Sequence, residues 1–297
     1  MKLFSAEEPQ WLMPPEACDC HMHIYDERFK SRPNVVMRIA PVSAYREVCA
    51  TLGIGRMVVV QPAAYGFDNA CTLDAMAQLG GAARGIVVIE PTTSRIELQR
   101  LHTLGVRGVR HMMILPGGLG WDSMEVVAHA VGPLGWNLNL QFDGHQLPER
   151  LDFLKTLPAN LVIDHIGSFH DGVDSQDVAF RALLQLMDTG RVWVKLSAPY
   201  SYAMSRSGPP LYEDVGRLAR LLITNYPERC LWASNWPHPT EATPPNTAAM
   251  LSLLDQWVPD EVTRTQILVN NPSALYGFDK ADVLPMSAMS AMSDYRA

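Results

Sequence analysis

Arg56-Met-Val-Val-Val-Gln61, followed by Cys71-Thr-Leu-Asp-Ala-Met-Ala-Gln-Leu79, is one unit of a pattern that runs the length of the chain. The first stretch is short and mostly β-branched or apolar, as a strand buried on both faces must be. The second spaces its apolar residues as a helix does, and Gly80-Gly81 closes the unit. Runs of the first kind recur at 17–23, 85–90, 108–113, 137–142, 161–165, 192–197 and 230–235. Helix-like stretches fill most gaps, at 42–52, 94–104, 123–131, 148–157, 177–188 and 212–226. Strand and helix alternating in this way through 297 residues predict an α/β fold, a (β/α)8 TIM barrel in a single domain. A doubly wound open sheet is the competing topology. It calls for a Gly-x-Gly-x-x-Gly turn after the first strand, and none is present.

The barrel is expected over 16–278, with an N-terminal arm over 1–15. The low-complexity stretch 279–297, with its Met-Ser-Ala repeats, is expected to be a tail outside the fold. Hydrophobic residues make up 47% of the chain and charged ones 19%, an ordinary globular balance. A net charge of −7 argues against nucleic acid as the main partner and offers no polybasic membrane patch. No apolar run reaches membrane-spanning length, and the first residues lack the apolar segment of a signal peptide. The five cysteines are odd in number and mostly far apart, which suits a reduced, cytoplasmic chain. The arm and tail offer surfaces for a homo-oligomer.

The C-terminal ends of the strands are where a barrel keeps its chemistry. His21 and His23 lie two apart on the first strand and so share a face. The second run ends in Gln61, with Asp68 and Asn69 in the loop beyond it. The fourth carries Arg107 and Arg110, three apart and therefore on opposite faces, which favours Arg110 for the barrel mouth. The fifth ends in Gln141, with Asp143 and His145 beyond. The sixth gives Asp164 and His165, the seventh Lys195, Ser197 and Tyr200, the eighth Asn235. The bland reading of Lys195 is a pair with an acid inside the barrel. That of His238 is a brace, and isolated histidines such as His102, His129 and His170 read as structural.

His21, His23 and His165 are three nitrogens, enough in number for zinc. Yet Gln141 and Asn235 stand where a further histidine and an aspartate would complete such a site. An amide is a weak zinc ligand and no base at neutral pH. The expectation is no metal and no cofactor.

Five motifs in order resemble one family: Cys18-Asp-Cys-His-Met-His23, Val60-Gln-Pro-Ala-Ala-Tyr-Gly-Phe-Asp-Asn69, Gly105-Val-Arg-Gly-Val-Arg110, Ile163-Asp-His-Ile-Gly167 and Trp232-Ala-Ser-Asn-Trp-Pro-His238. From about Pro15 to Phe278 the chain resembles the amidohydrolase superfamily, in the branch holding 2-pyrone-4,6-dicarboxylate lactonase and D-galactarolactone isomerase. Gln141-Phe-Asp-Gly144, Leu115-Pro-Gly-Gly118 and Pro199-Tyr-Ser-Tyr202 followed by Arg206 lean the same way. The resemblance implies metal-free lactone chemistry, with histidines polarising the carbonyl and arginines holding carboxylates. The lactonase uses an aspartate at the end of the eighth strand as base. This chain departs there, and in carrying Asn235 it is similar to the isomerase.

The expected partner is therefore a small carboxylated lactone, with an aldaric acid lactone isomerised between ring sizes, such as the galactaro-1,5 to the 1,4 form. His21, His23, His165 and Asn235 are the expected catalytic group. Arg110, Arg107, Arg206, Gln141, Tyr200 and Asn69 are the expected substrate-binding group. The alternative is a lactone hydrolase that uses Asp143 or His165 as base.

Overall fold

The computed structural model describes residues 11–114, 118–258 and 260–285. Eight strands form one sheet in sequence order. They are β1 (Cys18–Met22), β2 (Arg56–Val60), β3 (Ala83–Val87), β4 (Val106–Met112), β5 (Asn137–Gln141), β6 (Asn160–Ile163), β7 (Val192–Leu196) and β8 (Cys230–Trp232). Neighbours along this order pair in parallel. Past the end of β8 the seam to β1 is held by Asn235 N–H donating to His21 O at 2.8 Å and His23 N–H donating to Trp236 O at 2.8 Å. The architecture is the (β/α)8 barrel that the alternation predicts.

The helices α1 (Val42–Leu52), α2 (Ala70–Leu79), α3 (Arg95–Thr103), α4 (Met124–Val131), α5 (Leu147–Thr156), α6 (Val178–Met187) and α7 (Glu213–Asn225) follow the strands. On α7, Val215, Leu218, Ala219, Leu222 and Ile223 are buried, the three-and-four spacing of a helix with one apolar face. Ser94, Asp177 and Asn246 accept from backbone N–H groups at the starts of their helices, satisfying donors the helix itself leaves unpaired. Beyond the expected helices lie α8 (Thr247–Trp257), α9 (Glu261–Thr265) and α10 (Asn271–Tyr276), the last two joined by a wider turn at Gln266–Asn270.

The lower barrel is filled by Cys18, Cys20, Val58, Val60, Ile86, Val162 and Leu231, with Leu275, Tyr276 and Phe278 packed against them. β4 passes close to β5 here. A Cβ on Gly108 would stand 2.5 Å from Asn137 Oδ1, so only glycine fits.

Residues 279–285 differ from the tail expected over 279–297. Arg56 donates to the carbonyls of Asp279 and Asp282 at 2.8 and 3.0 Å, Arg84 pairs with Asp282 at 2.7 Å, and Leu284 N–H donates to Gly55 O at 2.8 Å. Two buried arginines at the strand starts thus fasten this segment across the barrel floor. The Met-Ser-Ala repeats and residues 1–10 of the arm lie outside the described residues. Of the arm, Met13 is buried and donates to Leu52 O at 3.1 Å. No helix is long and apolar enough to cross a membrane among the described residues.

Candidate functional site

Cys18 and Cys20 pack in the interior cluster, and strict alternation from them would turn His21 outward. The β1–β2 register shifts between Asp19 and Met22, and this irregularity resets the phase. His21 and His23 both turn inward, with their Nε2 atoms 3.1 Å apart. Nδ1 of His23 is held by Val60 O at 2.8 Å.

Below them lies a buried charged cluster. Lys195 Nζ is fully buried and lies 3.0 Å from Asp164 Oδ1, 3.0 Å from His21 Nδ1 and 2.6 Å from Asn139 Oδ1. Burial, with the Lys195 charge behind it, pushes His21 well below the usual histidine range. Burial and then Arg110 do the same to His23. Burial works to raise Asp164, but Lys195 and His21 outweigh it and hold the carboxyl well below its ordinary value. Lys195 pairs with an acid inside the barrel, as its place on the seventh strand predicts, while its contact with His21 has no counterpart in the sequence pattern.

His165 begins a short left-handed stretch, with φ of 52° at His165, 53° at Ile166 and 47° at Ser168. Such backbone is strained for non-glycine residues and persists where the surroundings over-determine it. Nδ1 of His165 lies 2.8 Å from Ser197 Oγ, which leaves Nε2 as its other nitrogen. Burial lowers His165 to about 4.

Arg110 donates to Gln61 O and to Gln141 Oε1, both at 2.7 Å, and its buried Nε–H has no protein partner. Asn235, also left-handed at φ 57°, donates through Nδ2 to the Tyr200 hydroxyl at 3.1 Å. Tyr200 in turn donates to His238 Nδ1 at 2.6 Å, and His238 Nε2 reaches Thr247 Oγ1 at 3.1 Å. This line of bonds turns the amide so that Oδ1 remains for a ligand.

These groups border a cavity of about 210 Å³ at the C-terminal end of the barrel. His23, Arg110, Gln141, His165 and Asn235 line it, joined by Tyr25, Arg38, Tyr202 and an apolar rim from Val35 to Met37. No aspartate or glutamate is among the described lining residues.

Several expected residues stand elsewhere. His21 is fully buried behind His23. Tyr200 lies behind Asn235. Arg107, on the outward phase of β4, donates to His102 O and Val106 O at 2.9 and 2.8 Å and lies in a separate groove with Arg84. Arg206 is bound to the carbonyls of Asp171 and Gly172 at 2.7 and 3.0 Å. Asn69 is spent on the backbone of Val88, accepting at 3.0 Å and donating at 2.7 Å. Asp143, the alternative base, pairs with His145 at 2.8 Å and does not line the cavity. Arg38 and Tyr202 were not anticipated. Arg38 lies in irregular chain with no period to read, while Tyr202 belongs to the same motif as Tyr200.

His21, Asp164 and His165 bring potential metal donors within 4.8 Å of one another. The one anionic donor, however, already holds the Lys195 ammonium at 3.0 Å, and the same ammonium holds His21 Nδ1. A divalent cation here would face that fixed charge in a buried interior, where like charges repel strongly. The donor set does not suit a resident metal, and no step below runs through one.

The chain is similar to known proteins along most of its length. The Amidohydrolase family model matches residues 18–278. A D-galactarolactone isomerase from Agrobacterium fabrum is 32% identical over 284 residues, 93% of this chain and 96% of its own. A 2-pyrone-4,6-dicarboxylate hydrolase from Comamonas testosteroni is 32% identical, covering 91% and 92% of the two chains. A 4-sulfomuconolactone hydrolase from Hydrogenophaga intermedia is 35% identical, covering 90% and 91%.

Proposed function

The chain belongs to the amidohydrolase family, and from that premise we propose that it isomerises the lactone of a sugar diacid by intramolecular acyl transfer, without a metal. The observation that carries this reading is the cavity lining: two arginines, two histidines and two amides, with no carboxylate among the described residues. The cationic wall suits a carboxylated ligand, and arginine forks match carboxylate geometry. What is lacking is a group basic enough to activate water. His165 at about 4 is a poor base.

A hydroxyl carried on the substrate itself changes the balance. Its effective molarity against its own carbonyl reaches on the order of 10⁵–10⁸ M in well-oriented systems, far above that of water. A weak base then suffices. The hydroxyl oxygen bonds to the lactone carbonyl carbon, and its proton passes through His165 Nε2 to the ring oxygen. That oxygen leaves as an alcohol, so one ester bond breaks as another forms and no water is consumed. Asn235 Oδ1 accepts from the attacking hydroxyl and aims it. Arg110 Nε–H faces the developing oxyanion, and Arg38 takes the distal carboxylate. The expectation that three histidines donate to the oxyanion narrows accordingly.

Incubating candidate aldaric acid lactones and following them by NMR tests the reading. A lactone of exchanged ring size should appear before any open-chain diacid. Open-chain diacid alone from the earliest times would contradict it. Hydrolysis of a carboxylated lactone is the second reading, favoured by the two hydrolases among the relatives above.

A further inference from the structure

The hydrogen bonds running through β1 admit one arrangement of protons. Nδ1 of His23 lies 2.8 Å from the Val60 carbonyl oxygen. A carbonyl only accepts, so the proton of neutral His23 is on Nδ1 and its lone pair on Nε2. That Nε2 lies 3.1 Å from His21 Nε2, so the proton between the rings belongs to His21. His21 Nδ1 is then a lone pair, and the group 3.0 Å from it is the Lys195 ammonium, which only donates. Asn139 Oδ1 accepts a second ammonium proton at 2.6 Å, and the Asp164 carboxylate stands 3.0 Å from Nζ as its counter-ion.

The rival tautomer would place the His21 proton on Nδ1, toward Asp164 at 3.3 Å. Two lone pairs would then face each other across the 3.1 Å gap between the imidazoles. A doubly protonated His21 would set a second cation 3.0 Å from Lys195. Both are costly for side chains buried as deeply as His21 and Lys195, where unpaired lone pairs and adjacent like charges are poorly screened.

We infer that Lys195 is a positioning residue: it fixes His21 as the Nε2–H tautomer, which occupies the Nε2 lone pair of His23. Both nitrogens of His21 and both of His23 are thereby engaged inside the protein. His165 is left as the cavity imidazole through which a substrate proton moves. The part concerning turnover rests on the lactone reading above. The proton arrangement does not.

The test is a nitrogen NMR spectrum of the resting protein labelled at histidine, assigned with His21→Gln and His23→Gln. For His21 the expected pattern is a pyridine-like Nδ1 and a pyrrole-like Nε2, and for His23 the reverse. In Lys195→Met, Asp164 faces His21 alone. His21 Nδ1 should gain a proton and move to the pyrrole-like range. A new ionisation should then enter the pH profile of kcat, with KM within about threefold, because Lys195 touches no substrate. A pyrrole-like His21 Nδ1 in the unaltered protein overturns the inference. So does a Lys195→Met protein with unchanged His21 signals and an unchanged profile. Should that variant fail to fold, the spectrum of the unaltered protein decides alone. No lactone enters the spectral measurement, so a failed activity assay leaves it standing.

Discussion

The side-chain amide of Asn235 donates to the Tyr200 hydroxyl at 3.1 Å, from the position at the end of the last strand where a water-activating base would stand. This bond commits the amide nitrogen and leaves its oxygen for the ligand. Replacing Asn235 by aspartate puts a carboxylate into a cavity with no acidic group among its described lining residues. A positioned base contributes about 10²–10⁴-fold. Asn235→Asp should therefore raise the ratio of open-chain diacid to exchanged lactone by one to several orders of magnitude, measured by NMR at early times.

Tyr200→Phe removes the partner of both Asn235 Nδ2 and His238 Nδ1. Leaving a buried polar group unpaired costs about 1–3 kcal/mol. The variant should lose stability of that order in urea titration. It should lose about tenfold in kcat with little change in KM, since the amide loses its aim and the substrate loses no contact.

Arg110→Met should lower kcat/KM by about 10–100-fold, the value of a charge-assisted hydrogen bond. Arg110→Lys should restore little, because a point charge cannot fork onto Gln61 O and Gln141 while presenting a further donor to the ligand. Arg107→Met, three residues away on the other face of β4, should leave the steady-state constants unchanged. Equal losses at both arginines would refute the assignment.

Five histidines are buried among the described residues, with burial lowering His111 to about 4, His165 to about 4 and His238 to about 3, and holding His21 and His23 well below the usual range. In the unfolded chain histidine titrates near about 6.5. Between those values the unfolded state binds more protons, so stability is complete above about 6.5 and is lost as pH falls. The slope is up to about 1.4 kcal/mol per pH unit for each group. Asp19, raised by burial, works in the opposite sense. Urea midpoints should drop steadily from pH 7 to pH 5 without a change in the cooperativity of unfolding.

How much was legible in the sequence follows from where periodicity operates. α1 spans Val42–Leu52 as its apolar spacing predicts, and all eight strands fall on their apolar runs. β3 and β4 begin two residues earlier than read, at Ala83 and Val106. The cause is a polar residue near each start: Arg84 is buried by the pair with Asp282, and Arg107 is half-buried with its guanidinium on backbone carbonyls. α8 and the helical turns to Tyr276 follow the eighth strand, beyond the strand–helix alternation that the sequence pattern predicts. In the site, alternation separated Arg110 from Arg107. It had no purchase on Arg38, in irregular chain, or on Asn69 and Arg206, whose polar atoms serve backbone groups that only the folded loops bring near. The Lys195–His21 contact joins residues 174 apart in sequence, and no local pattern announces it.

The central claim is that the nucleophile comes with the substrate. Turnover in heavy-oxygen water reads this directly, with the first-formed lactone analysed by mass spectrometry. The account predicts an exchanged lactone carrying no solvent oxygen. Solvent oxygen in that first product would show that water opens the ring, and would contradict the account.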